Sequence, residues 1–356
     1  MGWTRGRKNF GRHRFLGLNN FPTFIQQGRT LSSPSRLDYY RRIFVVYLNP
    51  GASQLSFWHD APEVNPNVAP GELGEYYMPF AAKADYSGPF DAAGVPLLNY
   101  RGKIGLQHNP IAIAQYGLGN HNQFRRSGDP ERRRKFLLAA DWLAANLEQN
   151  SVGLWVWNHH FDWEYRTSLR SPWQSGLAQG QGISLLVRAH RETSDSRYMQ
   201  AAQQALRALQ TTVSQGGVVF VDDHGHKWFE EYIVNPPTHI LNGFIWASWG
   251  VYDYWLATGD ARAHQDFLDA IETLTQHLCD YDTGFWSLYE QSGTRLKMLA
   301  SPFYHRLHIA QLHVLHQLTG GQIFANYAQL WEGYQRNPVN RARALLYKTL
   351  FKLLYY

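Results

Sequence analysis

The segment Trp228-Phe-Glu-Glu-Tyr232 sets two carboxylates beside a phenol, just before Pro236-Pro237 fixes the entry to a helical stretch. A carboxylate next to a phenol can work as a general acid/base pair, because burial raises the carboxyl pKa and hydrogen bonding can draw the phenolic one down. A surface glutamate pair with a packing tyrosine has the same sequence. Further phenols and imidazoles follow: Tyr289 in SLYEQ, then Tyr304-His305 and His308 in FYHRLHIAQL. The four-residue step places Tyr304 and His308 on one helix face, although the stripe His308, Gln311, Leu315 is also what an inner packing face looks like. In Ala178-Gln-Gly-Gln-Gly182 two glycines interrupt a helical pattern, each costing about 1 kcal/mol relative to alanine. That cost is tolerable where another backbone or a ligand comes close. His160, Asp162 and Glu164 alternate along a strand-like stretch and could face one metal, but a solvated polar edge explains them better, as it does His224 and His226 in a turn. No phosphate-binding loop, nucleophile elbow, H-E-x-x-H or C-x-x-C pair is present.

The elements that would carry these residues recur with a beat of about 64 residues, longer than common solenoid repeats of about 20–50. Helical patterns open at Asn109-Pro110, ending at a Gly119-Asn120 stop, and at Asp129-Pro130. Pairs then follow at 175–193 with 196–213, 239–257 with 260–279, and 303–318 with 323–334. Between them lie aromatic, strand-like stretches at 154–165, at 218–232 with a turn at Asp223-His224-Gly225, and at 283–296. Helix pairs with long loops on one side predict a mainly α fold: an α/α toroid, a partial barrel of about four helical hairpins with short β-hairpins in its loops. Residues 1–105 read as an irregular N-terminal extension wrapping the toroid, with one strand at Arg42–Leu48. Residues 106–336 form the toroid, and 337–356 a basic helix docking through Leu345, Leu346, Thr349, Leu350 and Leu353.

Composition narrows the function classes. The 356 residues are 44% apolar, 17% charged and 15% aromatic, which excludes disorder as the dominant state and points to an aromatic core or an aromatic-lined groove. The net charge of +6 sits in the tails: residues 1–14 and 336–356 hold five basic side chains each and no acidic ones, leaving 24 basic against 28 acidic between them. Basic residues are not interleaved with the aromatic stretches, which argues against nucleic acid. A single cysteine, Cys279, permits no internal disulfide. The N-terminus has a positive start without the apolar run of a signal peptide, and no stretch approaches a spanning helix, so a cytoplasmic location is the default expectation.

Five stretches, NPIAIAQYGL (109–118), SGLAQGQGISLLVRA (175–189), VVFVDDHGHKWFEEYIVNPPTHILNGF (218–244), YDTGFWSLYE (281–290) and YHRLHIAQL (304–312), resemble the catalytic C-terminal domain of D-glucuronyl C5-epimerases. The resemblance covers about 200 residues in family order. It implies an isomerase that converts D-glucuronic to L-iduronic acid in a heparosan- or heparan-type polysaccharide. Inverting C5 removes a proton α to a carboxylate and returns one to the opposite face, so two proton-transfer groups must flank the ring. By resemblance Glu231 and Tyr304 are that pair, with Tyr232 and Tyr289 as the other active-site phenols. Gln179, Gln181 and Asn242 bind substrate, with His305, Arg306 and His308 as further contacts, and Arg166, Arg170 and Arg306 as local attractors of a polyanion. Neither a metal nor a cofactor is required. The expected partner is an anionic polysaccharide, and a homodimer is compatible. The animal enzymes carry a basic residue where this chain has Ser292, and an N-terminal β-domain longer than the 105 leading residues here. The alternatives are a polysaccharide lyase, which would expel the C4 oxygen from the same carbanion, and a non-catalytic glycan-binding toroid.

Overall fold

Helix-starting chemistry recurs along the chain, and the computed structural model, which describes residues 57, 58, 61–165 and 167–355, shows what it builds. The Asn109 side chain accepts hydrogen bonds from the Ile111 and Ala112 amides at 2.9 and 3.2 Å, with Pro110 supplying a pre-set first turn. Asp129, Ser175, Asp195, Asp260 and Ser301 cap their helices in the same way. Gly128, Gly259 and Gly320 close theirs in the left-handed conformation, with φ of 69°, 71° and 70°. The result is α1 (Pro110–Ser127), α2 (Pro130–Ala145), α3 (Gly176–Thr193), α4 (Ser196–Leu206), α5 (Leu241–Thr258), α6 (Ala261–His277), α7 (Pro302–Thr319), α8 (Gln322–Arg336) and α9 (Pro338–Tyr355).

These helices form four antiparallel hairpins, α1/α2, α3/α4, α5/α6 and α7/α8. The first members pack in sequence, α1 on α3, α3 on α5 and α5 on α7, as the inner arc of a partial α/α toroid with the second members outside. Among the described residues the strands are two or three residues long and pair only in antiparallel twos: Leu98–Asn99 (β1) with Leu106–Gln107 (β2), Glu148–Gln149 (β3) with Trp155–Val156 (β4), Asn158–His159 (β5) with Trp173–Gln174 (β6), and Val219–Val221 (β7) with Lys227–Phe229 (β8). The strand-like stretch at 283–296 makes only isolated bridges, Asp282 to Ser287 and Leu288 to Leu299. The strand expected at Arg42–Leu48, the basic residues of 1–14 and Arg166 lie outside the described residues.

The α3–α5 contact explains the glycines of the Gln-Gly-Gln-Gly run. A Cβ on Gly180 would stand 2.4 Å from the Ala247 Cα, and one on Gly250 would stand 2.2 Å from the Gly180 carbonyl oxygen. The two backbones therefore meet directly. Gly182 makes room for the Trp157 indole, whose ring carbons lie 2.4–2.8 Å from where its Cβ would be. Behind this crossing Arg188 of α3, 1% exposed, pairs with Asp253 of α5 through contacts of 2.6 and 3.1 Å, and Tyr77 donates to the same carboxylate at 2.5 Å.

Two sequence expectations are corrected. Helix α1 does not stop at Gly119-Asn120 but continues to Ser127, because Gly119 serves a close approach: a Cβ there would sit 2.5 Å from the Phe80 carbonyl oxygen. The segment 76–80 lies along α1, held by Asn122, which accepts from the Tyr76 amide at 2.6 Å and donates to the Met78 carbonyl at 3.0 Å. Helix α9 docks, but not by Leu345, Leu346, Thr349 or Leu350. Ala344 and Phe351 are buried, Lys348 donates to the Leu299 carbonyl at 2.9 Å, and the Arg343 guanidinium covers the Phe285 ring at 3.8 Å, whereas Leu345, Leu346 and Leu350 face solvent. The inward stripe steps by three and four residues through smaller and aromatic side chains that fit the surface offered. The side chain of Leu353 lies outside the described residues.

Candidate active site

A cavity of about 330 Å³ opens at one end of the arc. Its wall takes Ile111 and Gln115 from α1, Leu177 from α3, Asn242 and Trp246 from α5, and Phe303, Tyr304 and Leu307 from α7. All of these lie in the first two turns of their helices, so the four inner helices run in one direction and point their N-termini at the same space. The inter-hairpin loops add Phe161, Trp163, Trp173, Glu231 and Tyr232, and the leading segment adds Trp58, Lys83 and Tyr100. The aromatic excess of the sequence is thus divided between this wall and the core, where Trp157, Trp228, Trp249, Trp286 and Trp331 are fully buried. Apolar walls with a few convergent polar groups are the ordinary form of a small-ligand site.

The two residues after β8 send their carboxylates to opposite duties. Glu230 turns inward, accepts from the His239 amide and ring, and is 1% exposed. Glu231 faces the cavity. Gly243 permits it, since a Cβ there would lie 2.3 Å from the Glu231 Oε2, and Asn242 Nδ2 donates to that oxygen at 3.4 Å. Burial pushes the Glu231 carboxyl up to about 8, against hydrogen bonds from Tyr232 and Asn242 that hold it down. The group is a weak acid at neutral pH with a small ionised fraction, which is where an acid/base catalyst must be poised.

The phenols surround it. Tyr304 lies on the first turn of α7, 4.7 Å ring to ring from Tyr289, to which it is hydrogen-bonded. Burial and then the Glu231 charge raise both phenols above their ordinary range. Tyr232 packs at 5.7 Å on Trp173 and at 4.6 Å on Tyr165, and burial raises it as well. Behind it Tyr165 donates to Glu290, a fully buried carboxyl that burial pushes up to about 7 and that the Ser292 hydroxyl also reaches.

The structure brings Glu231, Tyr232, Asn242 and Tyr304 onto one cavity, with Tyr289 directly behind Tyr304. Gln179 and Gln181 are fully buried in α3; Gln181 accepts from Gln115 at 3.0 Å and so reaches the wall through it. It does not bring His305, His308 or Arg306 there. The His305 ring stacks on Trp286 at 3.8 Å and uses both nitrogens, Nδ1 with Ser287 and Nε2 with the Trp331 carbonyl at 3.1 Å. Burial lowers His305 to about 4 and drives His308, also held by Ser287, well below its usual value. Arg306 is exposed beside a second cavity shared with Glu332 and Arg341. Arg170 is paired at the surface with Asp162 at 2.6 Å, and His160 with Glu148 at 2.8 Å.

Sequence reasoning missed Tyr100, Lys83 and the tryptophans of the wall. Tyr100 accepts from Asn109 Nδ2 at 2.7 Å and its phenol is raised by burial. Lys83 is buried, donating to the Phe57 carbonyl at 2.7 Å. Neither carries a spacing signal, since Tyr100 lies in a loop and Lys83 in a single helical turn, Ala81–Ala84, too short to show a period.

The family model for the D-glucuronyl C5-epimerase C-terminus matches residues 149–333. An uncharacterised protein of Methanocaldococcus jannaschii is 30% identical over 195 residues, 54% of this chain and 62% of that protein. The D-glucuronyl C5-epimerase of Caenorhabditis elegans is 31% identical over 215 residues, 56% of this chain and 34% of that protein. The chain therefore spans less than two thirds of the length of either relative. Among solved structures, cellobiose 2-epimerase from Spirochaeta thermophila has a TM-score of 0.47 at 13% identity, covering 84% of this chain and 86% of that one. An unsaturated glucuronyl hydrolase from a Bacillus species has a TM-score of 0.44 at 16% identity, covering 63% and 61%. With more than half of its residues matched, over a span that includes Glu231, Tyr232, Tyr289 and Tyr304, the chain belongs to the D-glucuronyl C5-epimerase C-terminal family.

Proposed function

We propose that the protein is a polysaccharide uronate C5-epimerase, converting D-glucuronic to L-iduronic acid residues in a heparosan- or heparan-type chain. The observation that carries this reading is the buried Glu231 carboxyl, raised to about 8, sharing an aromatic cavity with Tyr304. Ionised Glu231 removes the C5 proton, and Tyr304, which keeps its own proton because burial opposes the phenolate, returns one to the other face. The carbanion spreads into the substrate carboxylate, whose growing charge needs donors rather than water. Tyr232, Asn242 and the Tyr289–Tyr304 pair supply such donors, and the four helix N-termini favour negative charge in the same space. Trp163, Trp173 and Phe161 offer faces on which neighbouring sugars stack.

The test is proton NMR of a glucuronate–hexosamine polymer incubated with the full chain in heavy water. Deuterium at C5 and iduronate signals in chains of unchanged length are expected. Tyr304→Phe should lower exchange by about 10²–10⁴-fold while binding stays within a few-fold. Chain cleavage with an ultraviolet-absorbing unsaturated sugar would replace this reading with a lyase, and binding without exchange on any glucuronate polymer would replace it with a glycan-binding module.

A further inference from the structure

The β7–β8 hairpin that leads into Glu231 holds a second cluster at its turn. Asp222 and His226 meet His277, 51 residues onward at the end of α6. Asp222 Oδ2 lies 3.6 Å from His226 Nδ1 and 3.4 Å from His277 Nε2, and the two imidazole nitrogens lie 2.8 Å apart. Three ligand atoms held about 2.0–2.2 Å from one tetrahedral ion stand about 3.3 Å from each other, so this triangle already has the required size. The three residues are only half-buried, which leaves a side open for a fourth ligand.

The surroundings orient each group. Asp222 Oδ1 accepts from the His224 and His226 amides, both at 2.9 Å, which turns Oδ2 toward the imidazoles. The Trp228 indole donates to that Oδ2 at 3.1 Å. His277 Nδ1 meets Asp280 Oδ2 at 2.9 Å; donating there leaves the Nε2 lone pair aimed into the cluster, the outer carboxylate arrangement of ligating histidines. His226 can join by moving its proton from Nδ1 to Nε2 with no change of charge.

We propose that Asp222, His226 and His277 bind one divalent transition-metal ion of the zinc class, clamping the β7–β8 hairpin onto the end of α6. Two imidazoles and one carboxylate select such ions over magnesium or calcium. None of the three lines the catalytic cavity, so the ion acts on structure. Its path inward is short: Trp228 stacks at 4.3 Å on His239, which holds Glu230, the neighbour of Glu231. The site stands whether or not the proposed reaction does.

Tag-free full-length protein, stripped with chelator, is titrated with Zn²⁺ by calorimetry and with Co²⁺ by visible absorption. One equivalent is expected, with the ligand-field bands of low-coordinate Co²⁺ and a Zn²⁺-dependent rise in melting temperature that Mg²⁺ and Ca²⁺ do not produce. His226→Gln and His277→Gln should weaken binding by about 100-fold or more and Asp280→Asn by about 10–100-fold, while His224→Gln leaves it unchanged. Absence of stoichiometric binding, or binding and thermal stabilisation that persist in the doubly substituted His226→Gln/His277→Gln protein, would overturn the assignment.

Discussion

Replacing Glu231 by glutamine should make the protein more stable as pH rises, and the size of the effect follows from its burial. The free carboxyl ionises near 4.5, whereas in the folded cavity it holds its proton until about 8. Between those values the folded state binds one proton more than the unfolded chain, so stability falls with rising pH, by at most about 1.36 kcal/mol per pH unit. The group contributes fully below about 4.5, and the loss is complete above about 8. From pH 5 to pH 9 the wild type should therefore lose about 4 kcal/mol that Glu231→Gln, a neutral group of the same shape, does not lose. The positive N-terminus of α5 beside the carboxylate opposes burial by about 0.3–1 kcal/mol, which sets the expected range at about 3–4 kcal/mol. Urea unfolding of both proteins at the two pH values measures it. A differential below about 0.5 kcal/mol, or one of opposite sign, would refute the claim that Glu231 is buried as an acid. The same group should appear in catalysis, since kcat/KM for C5 exchange reports the free enzyme: about tenfold per unit below pH 8, then a plateau. A flat profile would remove Glu231 as the base while leaving its burial intact.

Two further outcomes test the framework. Asp253→Asn leaves Arg188, 1% exposed, without its partner and should destabilise by about 3–5 kcal/mol in urea, and a loss under about 1 would show that water reaches the pair. Gly180→Ala gains about 1 kcal/mol of helix propensity but forces a Cβ to 2.4 Å from the Ala247 backbone, so a net loss of about 1–3 kcal/mol is expected, whereas Gly333→Ala in α8, with open space around it, should gain about 0.5–1. Equal melting shifts for the two glycines would refute the close-crossing account.

Helix pairs were legible because their caps are local: a polar capping residue, in three helices followed by proline, and a glycine at the far end need no tertiary partner. The false stop at Gly119 shows the limit of that logic. A glycine for close packing and a glycine for termination look alike until the neighbour, here the Phe80 carbonyl, is in place. The acid and the phenols were legible as types within recognisable stretches, but Glu230 and Glu231 are adjacent and only the fold assigns one to His239 and the other to the cavity. His305 and His308 misled for a related reason. Their spacing is that of an inner-helix face, and Ser287 and Trp331 take up that face as packing. His226 and His277 were invisible as a pair, since 51 residues separate them and no motif links the two. Tyr100 comes from a loop and Lys83 from the single helical turn Ala81–Ala84, neither long enough for periodicity to carry information.

The charge distribution poses a harder question, because the proposed reaction would bring a substrate carboxylate and an ionised Glu231 into one cavity just before proton transfer. Bulk charge cannot arrange that, since the body between the tails carries 24 basic against 28 acidic residues. Lys83 is the one cationic side chain among the described residues that line the cavity, and its ammonium is already engaged by the Phe57 carbonyl. What remains is backbone. Four inner helices converge by their N-termini, each end equivalent to about half a positive charge, and they act inside a wall of indole and phenyl rings where the dielectric is low and salt does not screen. Such a field favours negative charge close to the helix ends, by an amount smaller than the burial that raises Glu231. A lysine or arginine at the same place would form a fixed ion pair with Glu231 and drag its carboxyl below neutrality, leaving a base too weak to reach an α-proton. Under the proposed reaction, helix ends in place of a cation beside Glu231 would favour the substrate anion and oppose the upward shift of the carboxyl only weakly, leaving it near 8.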